Sequence, residues 1–139
     1  MAEKGNKMIK VRYYPDEHKI TMKGHAGAGP KGADIVCAAA SFNIYTLASV
    51  MSIYDEFADK PMKFSDDDGK ASLKVYPNEQ TAGLIKHDFA YAMNGFTILQ
   101  DTYPKNVLIR VIGAESGKSE EEKEEETEEK ADETAGKES

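Results

Sequence analysis

The chain has 139 residues, enough for one domain, and 40% of them are hydrophobic, enough for a modest core. Its net charge of -7 is uneven: residues 114–139 hold 12 Asp and Glu against 4 Lys, which leaves residues 1–113 near +1. A near-neutral body with an acidic tail argues against direct binding of nucleic acid, and the single cysteine excludes an intramolecular disulfide.

The start of the chain carries no basic-then-apolar pattern of a secretory signal, so a cytoplasmic protein is expected. Residues 8–14 alternate Ile9, Val11 and Tyr13 with Lys10 and Arg12, the period of a half-buried strand. Residues 18–23 repeat the pattern with Ile20 and Met22, and Pro15-Asp16-Glu17 supplies the turn of a hairpin. Gly24, Gly27, Gly29 and Gly32, with Pro30, then form a glycine-rich loop able to adopt unusual torsions.

Asp34 is a fitting N-cap for a helix reaching about Tyr54. No charged residue lies between 35 and 54, a length that reaches the ~20 residues of a membrane span. Ser41, Asn43, Thr46, Ser49 and Ser52 make it too polar for that, so it reads as the buried helix of a dimeric soluble protein with no membrane partner. Asp66-Asp67-Asp68-Gly69 turns a second hairpin between 62–65 and 70–76, and Asn78 is the expected cap of the next helix. Ile85, Phe89, Met93 and Phe96 give that helix an apolar stripe that Gly83 and Gly95 weaken, and residues 106–112 form a closing strand.

The order β-β-α-β-β-α-β predicts an α+β domain over 1–113: a largely antiparallel sheet of four to five strands packed with two helices. From Glu115 onward there is no Val, Ile, Leu or aromatic residue, so 114–139 reads as a disordered acidic tail.

The chemistry concentrates between Gly24 and Ser41. With Asp34 as N-cap, Cys37 falls in the first helical turn, where free amides and the helix dipole favour a thiolate. That effect is below one pKa unit, and a free thiol is only about 3% ionised at pH 7, so a base is required. His25, at the end of a strand and across the loop, is the candidate base. Ser41 lies one turn after Cys37 on the same face, and Asp34 can cap the Cys37 amide or orient His25. The competing reading of Cys37 is a small buried hydrophobe in a non-catalytic binding module. His18 and His87 read as turn and surface residues, no spacing suits a metal, and the glycines match no phosphate or dinucleotide loop. Neither a metal nor a cofactor is expected. The three aspartates at 66–68 read as a turn.

Gly24-His25-Ala26, followed after the loop by Asp34-Ile35-Val36-Cys37-Ala38-Ala39 and Ser41, resembles the signature of the bacterial ribosomal-processing cysteine proteases. The resemblance implies a small α+β homodimer that removes a short N-terminal extension from a large-subunit ribosomal protein precursor. It implies Cys37 as nucleophile, His25 as base, Asp34 and Ser41 as supporting residues, and the loop bearing Gly27, Gly29 and Gly32 as a mobile wall against substrate. Two features depart from the pattern: the loop lacks an early aromatic residue, and the acidic tail is additional. The first bears on the wall that contacts substrate, and the tail leaves room for a phage-type relative that trims a capsid protein.

Overall fold

The computed structural model describes residues 8–27, 29 and 34–113; the expected tail at 114–139 and the loop position Gly32 lie outside the described residues. Strands β1 (Ile9–Tyr14) and β2 (Lys19–Lys23) pair antiparallel across a 3-10 turn at Pro15–Glu17. His18 closes that turn in the left-handed region, φ 52. Helix α1 (Ile35–Ile53) follows, then β3 (Ala58–Asp67), β4 (Lys70–Pro77), helix α2 (Ala82–Thr102) and β5 (Val107–Val111).

The sheet order is β3-β4-β2-β1-β5. Three strand pairs are antiparallel and one, β1 with β5, is parallel, so the α+β sheet of five strands with two helices matches the pattern the sequence predicts. The register aligns Val11 with Met22, Met22 with Ala71, and Ile20 with Leu73. Alternate residues of neighbouring strands therefore share one face. Ile9, Val11, Ile20, Leu73, Val75 and Val107 from the sheet join Val36, Ile44 and Met51 of α1 and Ile85, Phe89 and Phe96 of α2 in one core cluster. Tyr13 stacks on Phe89 with ring centroids 5.6 Å apart, fixing α2 over β1.

Two boundaries differ from expectation. β3 begins at Ala58, four residues before the predicted hairpin arm, and pairs irregularly with β4 through its first half. The second helix begins at Ala82 with Thr81, not Asn78, in the N-cap position. Asn78 shapes the turn before it: its Oδ1 accepts from the Thr81 amide at 2.9 Å and its carbonyl accepts from the Ala82 amide at 3.0 Å. An Asn that bonds its own downstream backbone competes with the cap it resembles in sequence.

α1 is apolar and long enough to cross a membrane by length and composition alone. Here its Val36, Ala40, Ile44, Leu47, Ala48 and Met51 are buried in the core, which accounts for one side of the cylinder. Gly95 serves the packing of α1 on α2. A Cβ there would lie 2.9 Å from the Asn43 side-chain oxygen, and Asn43 Nδ2 donates to the Ala92 carbonyl at 2.8 Å.

Candidate active site

The site is built where β2 ends and α1 begins. Asp34 is extended at φ -82, ψ 105, and its Oδ1 accepts from the amides of Val36 and Cys37, 3.0 Å each. Its carbonyl takes the Ala38 amide at 3.1 Å. The cap read from sequence is therefore made, and it occupies three amides of the first turn.

Cys37 is half-buried, and its sulfur accepts a hydrogen bond from the Ala26 amide at 3.3 Å. Burial pushes the thiol above its ordinary pKa; the Ala26 amide opposes this, while Asp34 reinforces it both as a nearby charge and as a hydrogen-bond partner of the thiol. Burial, with Asp34 beside it, thus favours the neutral thiol against the pull of the Ala26 amide. The carboxylate that caps the helix disfavours a second negative charge beside it.

The segment carrying His25 is held on both sides. Gly24 adopts φ +100, its amide donates to the Gly69 carbonyl at 2.7 Å, and a Cβ on it would lie 2.5 Å from the Met8 carbonyl oxygen. Ala26 is fully buried; its carbonyl accepts from Asn106 Nδ2 at 2.7 Å while its amide holds the sulfur. His25 stands between these anchors with its side chain exposed over the β3–β4 turn. Its Nε2 lies 3.9 Å from Asp68 Oδ1, and Gly69 approaches the ring so closely that a Cβ there would meet Nε2 at 2.9 Å.

The structure brings together Asp34, Cys37 and Ala26. Among the described residues it forms no hydrogen bond between His25 and Cys37, and the imidazole faces Asp68 rather than Asp34. Ser41 is half-buried one turn beyond Cys37. Gly27 takes φ 68, and Gly27 and Gly29 are exposed at the start of the loop. No group of three or more His, Cys, Asp or Glu among the described residues is arranged to hold a metal ion. Sequence reasoning missed Ala26, Asn106 and Asp68. Asn106 is 80 residues from Ala26, and no local pattern announces that pairing.

The sequence profile of the family described as cysteine protease Prp matches residues 8–108. The chain belongs to that family and is a cysteine protease. Three crystal structures share the fold. One is an essential ribosomal processing protease Prp from S. aureus in complex with a covalently linked product peptide: TM-score 0.61, 22% identity, covering 76% of this chain and all of that one. The S. aureus protease in complex with a substrate peptide gives TM-score 0.58 and 18% identity over 76% of this chain and 100% of that one. A Streptococcus mutans protein gives 0.59 and 21% over 81% of this chain and 99% of that one. No curated protein matches the sequence.

Proposed function

We propose that this protease removes a short N-terminal extension from a large-subunit ribosomal protein precursor, with Cys37 as nucleophile and His25 as general base. The observation that carries the assignment of Cys37 is its place in the first turn of α1 with the Ala26 amide on its sulfur, in a chain of the cysteine protease Prp family. The substrate class follows from the likeness to the S. aureus ribosomal processing protease.

In this reading, substrate binding brings the imidazole to the thiol. His25 takes the thiol proton, the thiolate attacks the scissile carbonyl carbon, and the protonated imidazole delivers that proton to the leaving amine. Water then hydrolyses the thioester. Because the backbone on either side of His25 is fixed by hydrogen bonds, rotation of the side chain away from Asp68 moves the imidazole. The amides of Val36, Cys37 and Ala38 are engaged by Asp34, so among the described residues the Ala26 amide, already on the sulfur, is the candidate donor for the oxyanion. Asp34 orders the helix start, and Ser41 lies one helical turn beyond Cys37.

In the same reading the protease domain ends near Gly113, and the protease acts in the cytoplasm as a homodimer. The test is incubation of a precursor bearing its extension with the wild type and with Cys37→Ser and His25→Ala. Cleavage by the wild type and by neither variant supports the reading. Thiol-dependent cleavage of a viral capsid precursor instead, with the ribosomal one untouched, transfers the assignment to a phage-type substrate.

A further inference from the structure

We propose that Asn106 is a positioning residue of the active site, holding the Ala26 amide on the Cys37 sulfur from the far end of the chain. The inference rests on Cys37 being the nucleophile. Asn106 is itself immobilised at every backbone group. Its amide donates to the Tyr103 carbonyl at the end of α2, 2.9 Å, and its carbonyl accepts from the Ile9 amide at the start of β1, 2.8 Å. Its side chain is then free to serve a third element, and Nδ2 donates to the Ala26 carbonyl at 2.7 Å.

Among the described residues, Ala26 is hydrogen-bonded by Asn106 at its carbonyl and to the Cys37 sulfur through its amide. Its methyl is fully buried, but the next residue, Gly27, is exposed at φ 68, where the chain enters the glycine-rich loop. Asn106 is thus the side-chain tether of Ala26, next to Gly27, and Ala26 also presents its amide to the sulfur at 3.3 Å. A donor fixed at that place favours the thiolate over the thiol and stands ready for the oxyanion that forms next to the sulfur. Without the tether the Ala26 carbonyl loses its partner, and the residue shifts to find water.

The experiment measures the rate of Cys37 alkylation by iodoacetamide against pH, and cleavage of the ribosomal precursor, for wild type, Asn106→Ala and Ile85→Ala. Asp34 is the charged group acting on the thiol among the described residues, and it is unchanged in all three. Asn106→Ala is expected to raise the alkylation midpoint by about one pH unit, slowing the reaction at pH 7 by about tenfold. The same variant is expected to lower kcat with KM little changed. Ile85→Ala, a core truncation remote from the sulfur, is expected to lower Tm with the midpoint unmoved. An unmoved midpoint and kcat in Asn106→Ala overturns the proposal, as does an equal midpoint shift in Ile85→Ala. Should Asn106→Ala fail to fold, the Ala26 amide proton resonance of the wild type is followed against pH. Movement in step with the Cys37 midpoint is expected, and a resonance indifferent to it overturns the proposal. The two readings fail separately: precursor cleavage surviving in Cys37→Ser removes the nucleophile assignment, whereas an inactive Cys37→Ser beside an unaltered Asn106→Ala removes the tether alone.

Discussion

Burial and the capping carboxylate act together on the thiol. Asp34 satisfies two first-turn amides through one oxygen, and its charge helps to hold Cys37 above the ordinary thiol pKa. Asp34→Asn keeps an oxygen for those amides and removes the charge. The alkylation midpoint of Cys37 is therefore expected to fall in the variant, with stability changed by less than about 1 kcal/mol, since Asn and Asp cap almost equally well. A midpoint that rises or stays would show that the carboxylate does not oppose the thiolate. His25→Ala is expected to reduce kcat/KM for precursor cleavage by at least about a hundredfold, the usual scale of general base catalysis. Alkylation of the free protein should change much less, because the imidazole rests against the β3–β4 turn. Equal losses in both assays would place His25 on the thiol before substrate arrives. Asp34 and Cys37 are legible in the sequence because a cap acts across three residues. The neighbour of His25 is not, since Asp68 comes from the β3–β4 turn 43 positions away and reaches it through sheet pairing.

Among the elements, the β2 terminus constrains its sequence most tightly. Gly24→Ala would place a Cβ against the Met8 carbonyl in a backbone conformation that L side chains disfavour. A loss of about 1–3 kcal/mol or more is expected from the torsion alone, read as a lowered denaturation midpoint; an unchanged midpoint would mean that the strand end shifts without penalty. The turn between β1 and β2 gives a pH dependence. Burial holds the His18 pKa below its ordinary value of 6.5, with Lys86 acting in the same direction and Asp16 against it. For a group depressed on folding, stability is complete above 6.5 and is lost as pH falls toward the lower folded value. His18→Asn tolerates the left-handed torsion and is expected to flatten the decline of Tm below pH 6.5; an identical decline would assign the acid sensitivity elsewhere. The strand and helix periods were legible, from Ile9, Val11 and Tyr13 to Ile85, Phe89, Met93 and Phe96, because burial on one face imposes them. The cap of α2 was not, because Asn78 and Thr81 are both competent caps and the backbone chooses between them.

For the molecule as a whole, one core cannot cover two helices. Phe42 is 75% exposed and Ile98 61%, on either side of an apolar groove between α1 and α2 that Ala38, Ala39 and Leu99 also line. We propose this groove as the dimer contact. Sedimentation at micromolar concentration should give a dimer for the wild type and a monomer for Phe42→Lys, and a monomeric wild type would remove the proposal. The tail's net charge of -8 suits attraction of a basic precursor. Deleting residues 114–139 is then expected to slow cleavage at low salt and to weaken its salt dependence; unchanged kinetics would leave the tail with no part in substrate capture. By itself the sequence determined the order of elements, the helix that presents Cys37, and the family, since each rests on periodicity or on a motif within 18 residues of chain. Only the tertiary structure decided that Ala26 touches the sulfur, that Asn106 tethers it and that His25 faces Asp68. Those contacts join residues between 11 and 80 positions apart, and nothing short of the packed sheet brings them within hydrogen-bonding or ionic reach.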